Sequence, residues 1–139
     1  MTEVDKAYIA GFVDGEGCIQ LQKKRKPGRY CLRFRITQTD KAILDWIKAC
    51  TGEGTVRRWS LQSERHRERY EWYCGGYKAL CILHEIYPYL KLKKLQAEIA
   101  FEFEKTMVGT GNFLTESQHI QRQSLRKTMD ELHSHRREV

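Results

Sequence analysis

The sequence contains two prolines in 139 residues, Pro27 and Pro88, so little interrupts regular structure along the chain. It has no stretch near the ~20 consecutive apolar residues that a membrane-spanning helix requires, and no such helix is expected. The opening residues, MTEVDK, lack a signal-peptide pattern, so a soluble intracellular protein is expected, cytoplasmic or organellar and not secreted. The cysteines, Cys18, Cys31, Cys50, Cys74 and Cys81, are odd in number and contain no C-x-x-C pair, which argues against a disulfide framework or a zinc site and for reduced thiols. No Ser/His/Asp or Cys/His pairing stands out, no glycine loop cradles a phosphate, and the five histidines show no metal-ligand spacing. Low-complexity segments are missing too. One further absence is local: from Gly17 to Thr39 there is no acid at all.

What fills that acid-free stretch is base. Lys23, Lys24, Arg25, Lys26, Arg29, Arg33 and Arg35 crowd into it, in a chain of net charge +7 and isoelectric point about 9.2. Overall basicity says little, but clustering on one segment is the footprint of a nucleic-acid surface. With 40% hydrophobic residues the chain is expected to fold as one domain over residues 1–139.

Periodicity gives the elements. Thr2 and Asp5 can cap a helix from Glu3 to Val13, ended by Gly15 and Gly17. "CIQLQKKRK", a turn at Pro27-Gly28 and "RYCLRFRITQ" read as a hairpin. Ile19 and Leu21 fall on one strand face, with Cys18, Gln20, Gln22 and Lys24 on the other. In the second strand Tyr30, Leu32, Phe34 and Ile36 oppose Arg29, Cys31, Arg33, Arg35 and Thr37. A helix follows, capped by Thr39 or Asp40, with an Ile43, Trp46, Ile47, Cys50 stripe and a stop at Gly52. "GTVRRWSLQ" and "RERYEWYC" form a second hairpin around a charged loop at Glu64 to Arg67. Its alternation is ambiguous, because Trp59, Tyr70 and Trp72 compete with Val56, Leu61 and Tyr73 for the core. A helix after Gly75-Gly76 halts near Pro88, "LKLKKLQAEIAFEFEKTMVG" reads as another ending at Gly109, and a last polar helix spans about residues 115–135. The order α-β-β-α-β-β-α-α, with the final helix added at its end, indicates an α+β fold.

The stretch Ile9-Ala10-Gly11-Phe12-Val13-Asp14-Gly15-Glu16-Gly17 places two acids where an apolar helix gives way to a strand. It resembles the signature of the LAGLIDADG homing endonucleases. "RITQTDKAILDWI", "YPYLKLKKLQAEIAFEF" and "NFLTESQ" follow in the order and spacing of that family, so the resemblance covers most of the chain. It implies the LAGLIDADG fold, with a four-stranded antiparallel DNA-binding saddle. It also implies a Mg²⁺-dependent, site-specific double-strand DNA endonuclease, a phosphodiester hydrolase that promotes intron or intein mobility at a long, pseudo-palindromic target. Small residues let helices approach closely, and the chain carries one copy of the signature. The implied assembly is therefore a homodimer joined through Ala10, Gly11, Val13 and Asp14.

In that arrangement Glu16 of each subunit meets its counterpart, a costly proximity unless a cation lies between them. Mg²⁺ suits such carboxylates beside phosphates. Glu16 matches the metal-binding acid of the family, where Asp is more frequent, and Gly15 offers its carbonyl to the metal. Asp14 either holds metal or braces the helix end. Gln38 matches a polar residue that organises the water and metal shell. Lys93 matches a basic residue close to the scissile phosphate, with Lys94 as the alternative register. The family's second basic residue, one helical turn after the Gln, is replaced here by Ala42. Gln20, Gln22, Lys24, Arg29, Arg33 and Arg35 are the leading candidates for DNA contact, since Arg matches guanine and Gln adenine in the major groove. Arg57 and Arg69 stand behind them, because their strand faces are unclear. Two other readings use the same fold: an intron-encoded RNA maturase, with host intron RNA as partner, and a non-catalytic DNA-binding regulator.

Overall fold

A computed structural model describes residues 1–25, 29–59, 68–107 and 114–137. The elements are α1 (Glu3–Glu16), β1 (Gly17–Lys23), β2 (Tyr30–Gln38), α2 (Lys41–Thr51), β3 (Thr55–Trp59), β4 (Arg69–Gly75), α3 (Gly76–Ile86), a 3₁₀ turn at Tyr87–Tyr89, α4 (Lys94–Glu104) and α5 (Glu116–Arg137). The expected turn at Pro27-Gly28, the loop at Glu64 to Arg67, and Lys26, Leu61 and Gly109 lie outside the described residues.

Helix α1 starts as its sequence dictates. Thr2 Oγ1 accepts the Asp5 N–H and the Asp5 carboxylate accepts the Thr2 N–H, both at 3.1 Å, a reciprocal cap for otherwise orphaned donors. The helix runs past Val13, its expected end, to Glu16. It then enters β1 without a loop: the Gly17 N–H still reaches the Val13 carbonyl while Gly17 pairs with Ile36 in the sheet. A Cβ on Gly17 would lie 2.8 Å from that carbonyl oxygen, so this abrupt switch requires glycine for space.

The strands form one antiparallel sheet in the order β1-β2-β4-β3. Ile19, Leu21, Leu32, Phe34, Ile36, Trp72 and Cys74 point from it into the core, where Ile9, Ala10 and Val13 of α1, Leu44 and Ile47 of α2, Leu80 and Leu83 of α3 and Phe103 of α4 meet them. At the centre Phe34 and Trp72 pack edge to face with centroids 5.1 Å apart. Trp72 Nε1 donates to the Glu53 carbonyl at 3.0 Å. Gly54, at φ 95°, passes so close to that indole that a side chain would collide with it. Burial pushes the Cys74 thiol up to about 12, with Glu53 adding to the effect. The thiol therefore stays protonated and inert at neutral pH.

The β3–β4 ambiguity resolves toward Val56, Tyr70, Trp72 and Cys74 as the core set, with Trp59 and Tyr73 on the opposite face. In α2 the buried residues are Leu44 and Ile47, while Ile43, Trp46 and Cys50 flank the core. Helix α5 docks through Met129 and Arg122. Arg122 Nε donates to Thr106 Oγ1 at 2.8 Å, Nη2 donates to the Thr106 carbonyl at 3.0 Å, and the guanidinium lies 4.5 Å from the Phe103 ring centre. Desolvation lowers its pKa, with Arg29 adding to the effect.

Candidate nucleic-acid interface and catalytic end

The sheet face away from the helices carries Cys18, Gln20 and Gln22 from β1, Cys31, Arg33, Arg35 and Thr37 from β2, Arg69, Glu71 and Tyr73 from β4, and Thr55, Arg57 and Trp59 from β3. This follows from the alternation and the observed register. Arg57 and Arg69 are thus placed on the same face as the leading candidates. Lys24 and Arg29 close the outer end of the first hairpin, where the Lys24 N–H donates to the Arg29 carbonyl at 2.8 Å. Aromatic rings stand among the cations. Arg35 sits 5.6 Å from the Trp59 ring centre, and Arg33 and Arg57 sit 5.4 and 4.5 Å from that of Tyr73. Such stacking limits how far a guanidinium wanders. Arg33 Nη1 also donates to Gln22 Oε1 at 3.2 Å, joining β1 and β2 side chains into one polar layer.

The second cluster gathers at the C-terminal end of α1. Asp14 is buried, and its carboxylate accepts three consecutive backbone donors: Lys91 N–H at 2.8 Å, Leu92 N–H at 3.1 Å and Lys93 N–H at 3.0 Å. These amides open α4, so the acid is stabilised by the positive end of another helix. Lys93, 3% exposed, lies with Nζ 2.8 Å from the Asp14 carbonyl oxygen, to which it donates. Glu16, two residues beyond, is exposed, and the last turn of α1 holds no base. A carboxylate at the negative end of a helix macrodipole is a locus for a cation. Gln38 extends β2 past Ile36, the ladder partner of Gly17, and so lies at the same end. Its Oε1 accepts from Thr39 N–H at 2.7 Å and Thr39 Oγ1 at 3.1 Å. Its amide nitrogen is the group left to donate.

With this geometry in view, the comparisons with known proteins are decisive. The sequence model of the LAGLIDADG endonuclease family matches residues 9–107. The chain belongs to the LAGLIDADG endonuclease family. A curated relative, the DNA endonuclease I-CvuI of Chlorella vulgaris, is 30% identical over 114 residues, covering 75% of this chain and 66% of that protein. A crystal structure of I-CvuI, described as a complex with a DNA target in the presence of Mg with the DNA not cleaved, superposes with a TM-score of 0.77 at 26% identity. That match covers 94% of this chain and 82% of the other. An archaeal intron-encoded homing endonuclease, I-Vdi141I, solved with DNA, shares the fold at TM-score 0.76 and 21% identity, over 94% of this chain and 84% of its own.

The LAGLIDADG helix differs from expectation in which face it presents. Ala10 and Val13, expected between two subunits, are each 0% exposed within this chain alone. Both are consumed by its own core. Asp14 is likewise committed within the chain, as the brace of α4. Of the four expected interface residues, Gly11 is on the open side: a Cβ there would meet nothing within 4 Å, and the same holds for Gly15. With Gly11 run Val4, 78% exposed, Tyr8, 53% exposed, and Ala7. This is the i, i+3, i+4, i+7 ridge of a helix. The expected helix over "LKLKK" also starts later, at Lys94, because Asp14 captures the amides of residues 91–93 before α4 begins. Lys94 is exposed, with its ammonium 5.6 Å from the Tyr87 ring centre. Sequence reasoning missed Tyr73 and Glu71 as members of the arginine-bearing layer. The pattern of β4 concealed them, since aromatics stand on both of its faces.

Proposed function

We propose that this chain is a site-specific, Mg²⁺-dependent endonuclease that cuts double-stranded DNA as a homodimer. The observation that carries the proposal is Glu16: an exposed carboxylate at the seam of α1 and β1, directly beside an arginine-lined sheet face. Among the described residues no group of three or more His, Cys, Asp or Glu could hold a metal ion. One carboxylate and the Gly15 carbonyl per chain instead fit a hard ion that takes one or two carboxylates and completes its shell with water and phosphate oxygens. Bound there, magnesium supplies charge neutralisation at the scissile phosphate and acidifies water. The sheet face holds the duplex through cations directed at phosphates and base edges. Gln38 orients the attacking water through its amide nitrogen, and Lys93 sets a fixed positive charge under the helix end that carries Glu16. Nothing observed favours RNA splicing or non-catalytic binding over this reading.

Incubation with a randomised duplex library tests it. One long, near-palindromic sequence should be broken on both strands with Mg²⁺ and none with EDTA. A chain that breaks no duplex under either condition would refute the reading.

Pairing through α1 makes a separate expectation. Gly11→Arg adds a side chain where the isolated chain has open space, and it removes a glycine that costs about 1 kcal/mol in a helix interior. The variant should therefore melt no lower than the parent chain, yet sediment as a monomer where the parent is a dimer. Unchanged sedimentation would place the subunit contact elsewhere.

A further inference from the structure

Among the described residues the four strands contain a single acid, Glu71. It is also the one buried side chain on the arginine-bearing face, at 0% exposure. An acid there opposes attraction to a phosphate backbone, so general DNA affinity does not account for it. Its partners do. Glu71 Oε2 accepts Arg57 Nε at 2.9 Å and lies 2.9 Å from Arg57 Nη2. The guanidinium is thus gripped along its Nε–Nη2 edge and rests against Tyr73. The edge left over, Nη1–Nη2, is the one whose two parallel donors match O6 and N7 of guanine. The other carboxylate oxygen, Oε1, has no hydrogen-bond partner among the described residues, and neither has Arg33 Nε. Arg33 Nη2 stands 3.9 Å from that oxygen, too far for a hydrogen bond. Oε2 of Glu71 is therefore engaged with Arg57, while Oε1 holds spare acceptor capacity facing Arg33.

Building on the endonuclease reading, we infer that Glu71 is a positioning residue for sequence readout. It turns Arg57 from a mobile, phosphate-seeking cation into a fixed reader of guanine in each half of the target. Its second oxygen, Oε1, stays open toward Arg33. Specificity at this base pair thus depends on a residue that never meets the DNA.

The test is selection of bound duplexes from a randomised library in EDTA, using the full chain and the variants Glu71→Gln and Arg57→Lys, with melting curves for each. The parent should prefer guanine at one position per half-site, and Glu71→Gln should lose that preference by about tenfold, the scale of one bidentate pair. Arg57→Lys, which keeps charge but lacks the fork, should lose the same position and no other. Affinity of Glu71→Gln for unselected duplex should hold or rise, since an acid has left the face; a purely structural defect would lower it. An undiminished guanine preference in Glu71→Gln overturns the inference, and so does an equal weakening at every position accompanied by a lower melting temperature. Should Glu71→Gln not fold, Arg57→Lys decides alone: retained guanine preference overturns the inference and selective loss supports it. A parent chain that selects no sequence refutes the DNA-reading function itself, and this inference with it.

Discussion

Glu16→Gln is expected to abolish strand cleavage, by about three decades or more, while leaving duplex binding intact. The amide keeps the shape of the side chain and removes only its charge, so the fold around the exposed position has no reason to change. What disappears is the carboxylate that fits a hard divalent ion, and a metal's stabilisation of the reacting charge is worth several kcal/mol, at about 1.4 kcal/mol per decade of rate. In the proposed reading binding rests on the sheet face and the first hairpin, whereas Glu16 ends α1. Loss of one negative charge per chain near phosphates should hold or tighten it. Single-turnover cleavage and a binding titration in EDTA separate the two effects. A variant that still cuts at the parent rate would remove Glu16 from the chemistry.

The second large effect is expected at Asp14, and it falls on stability. Its carboxylate satisfies three buried or half-buried amides at 2.8, 3.1 and 3.0 Å. Asp14→Ala orphans all three, at about 1–3 kcal/mol for each buried group left unpaired. Relaxation and water recover part of that, leaving an expected loss of about 3 kcal/mol. It also loosens the segment from which Lys93 reaches the Asp14 carbonyl, so cleavage should fall even in the molecules that remain folded. Asp14→Asn retains one acceptor oxygen and should lose about half as much. Urea unfolding gives the comparison, and equal midpoints for parent and Asp14→Ala would show that the brace carries no weight.

Most of the fold was legible because its periodicities are clean. Alternation in β1 and β2 predicts both faces correctly, since Ile19, Leu21, Leu32, Phe34 and Ile36 fall inward and the positions between them are polar or thiol. Caps at Thr2 and Asp40 are visible because their side chains act within three residues along the chain. Three features were not legible, each for a physical reason. From Ala7 to Val13 helix α1 is apolar all round, so the pattern does not say which side meets the sheet; Ala10 and Val13 went inward, leaving Gly11 outside. Residues 91–93 suit a helix, but a carboxylate from far along the chain claims their amides, and local propensity carries no record of such a partner. An acid within a strand ordinarily reads as solvated, and Glu71 is buried because two arginines from neighbouring strands lie over it.

The outward ridge of α1 bears on how the proposed nuclease behaves at low abundance. Val4, Ala7, Tyr8 and Gly11 leave a narrow, smooth strip of one helix, and each chain brings one exposed acid to the seam. If two chains must pair there before either can cut, the rate of breakage grows with the square of protein concentration until pairing saturates. A host making a few copies would then suffer almost no breaks, and a modest rise in expression would switch the enzyme on sharply.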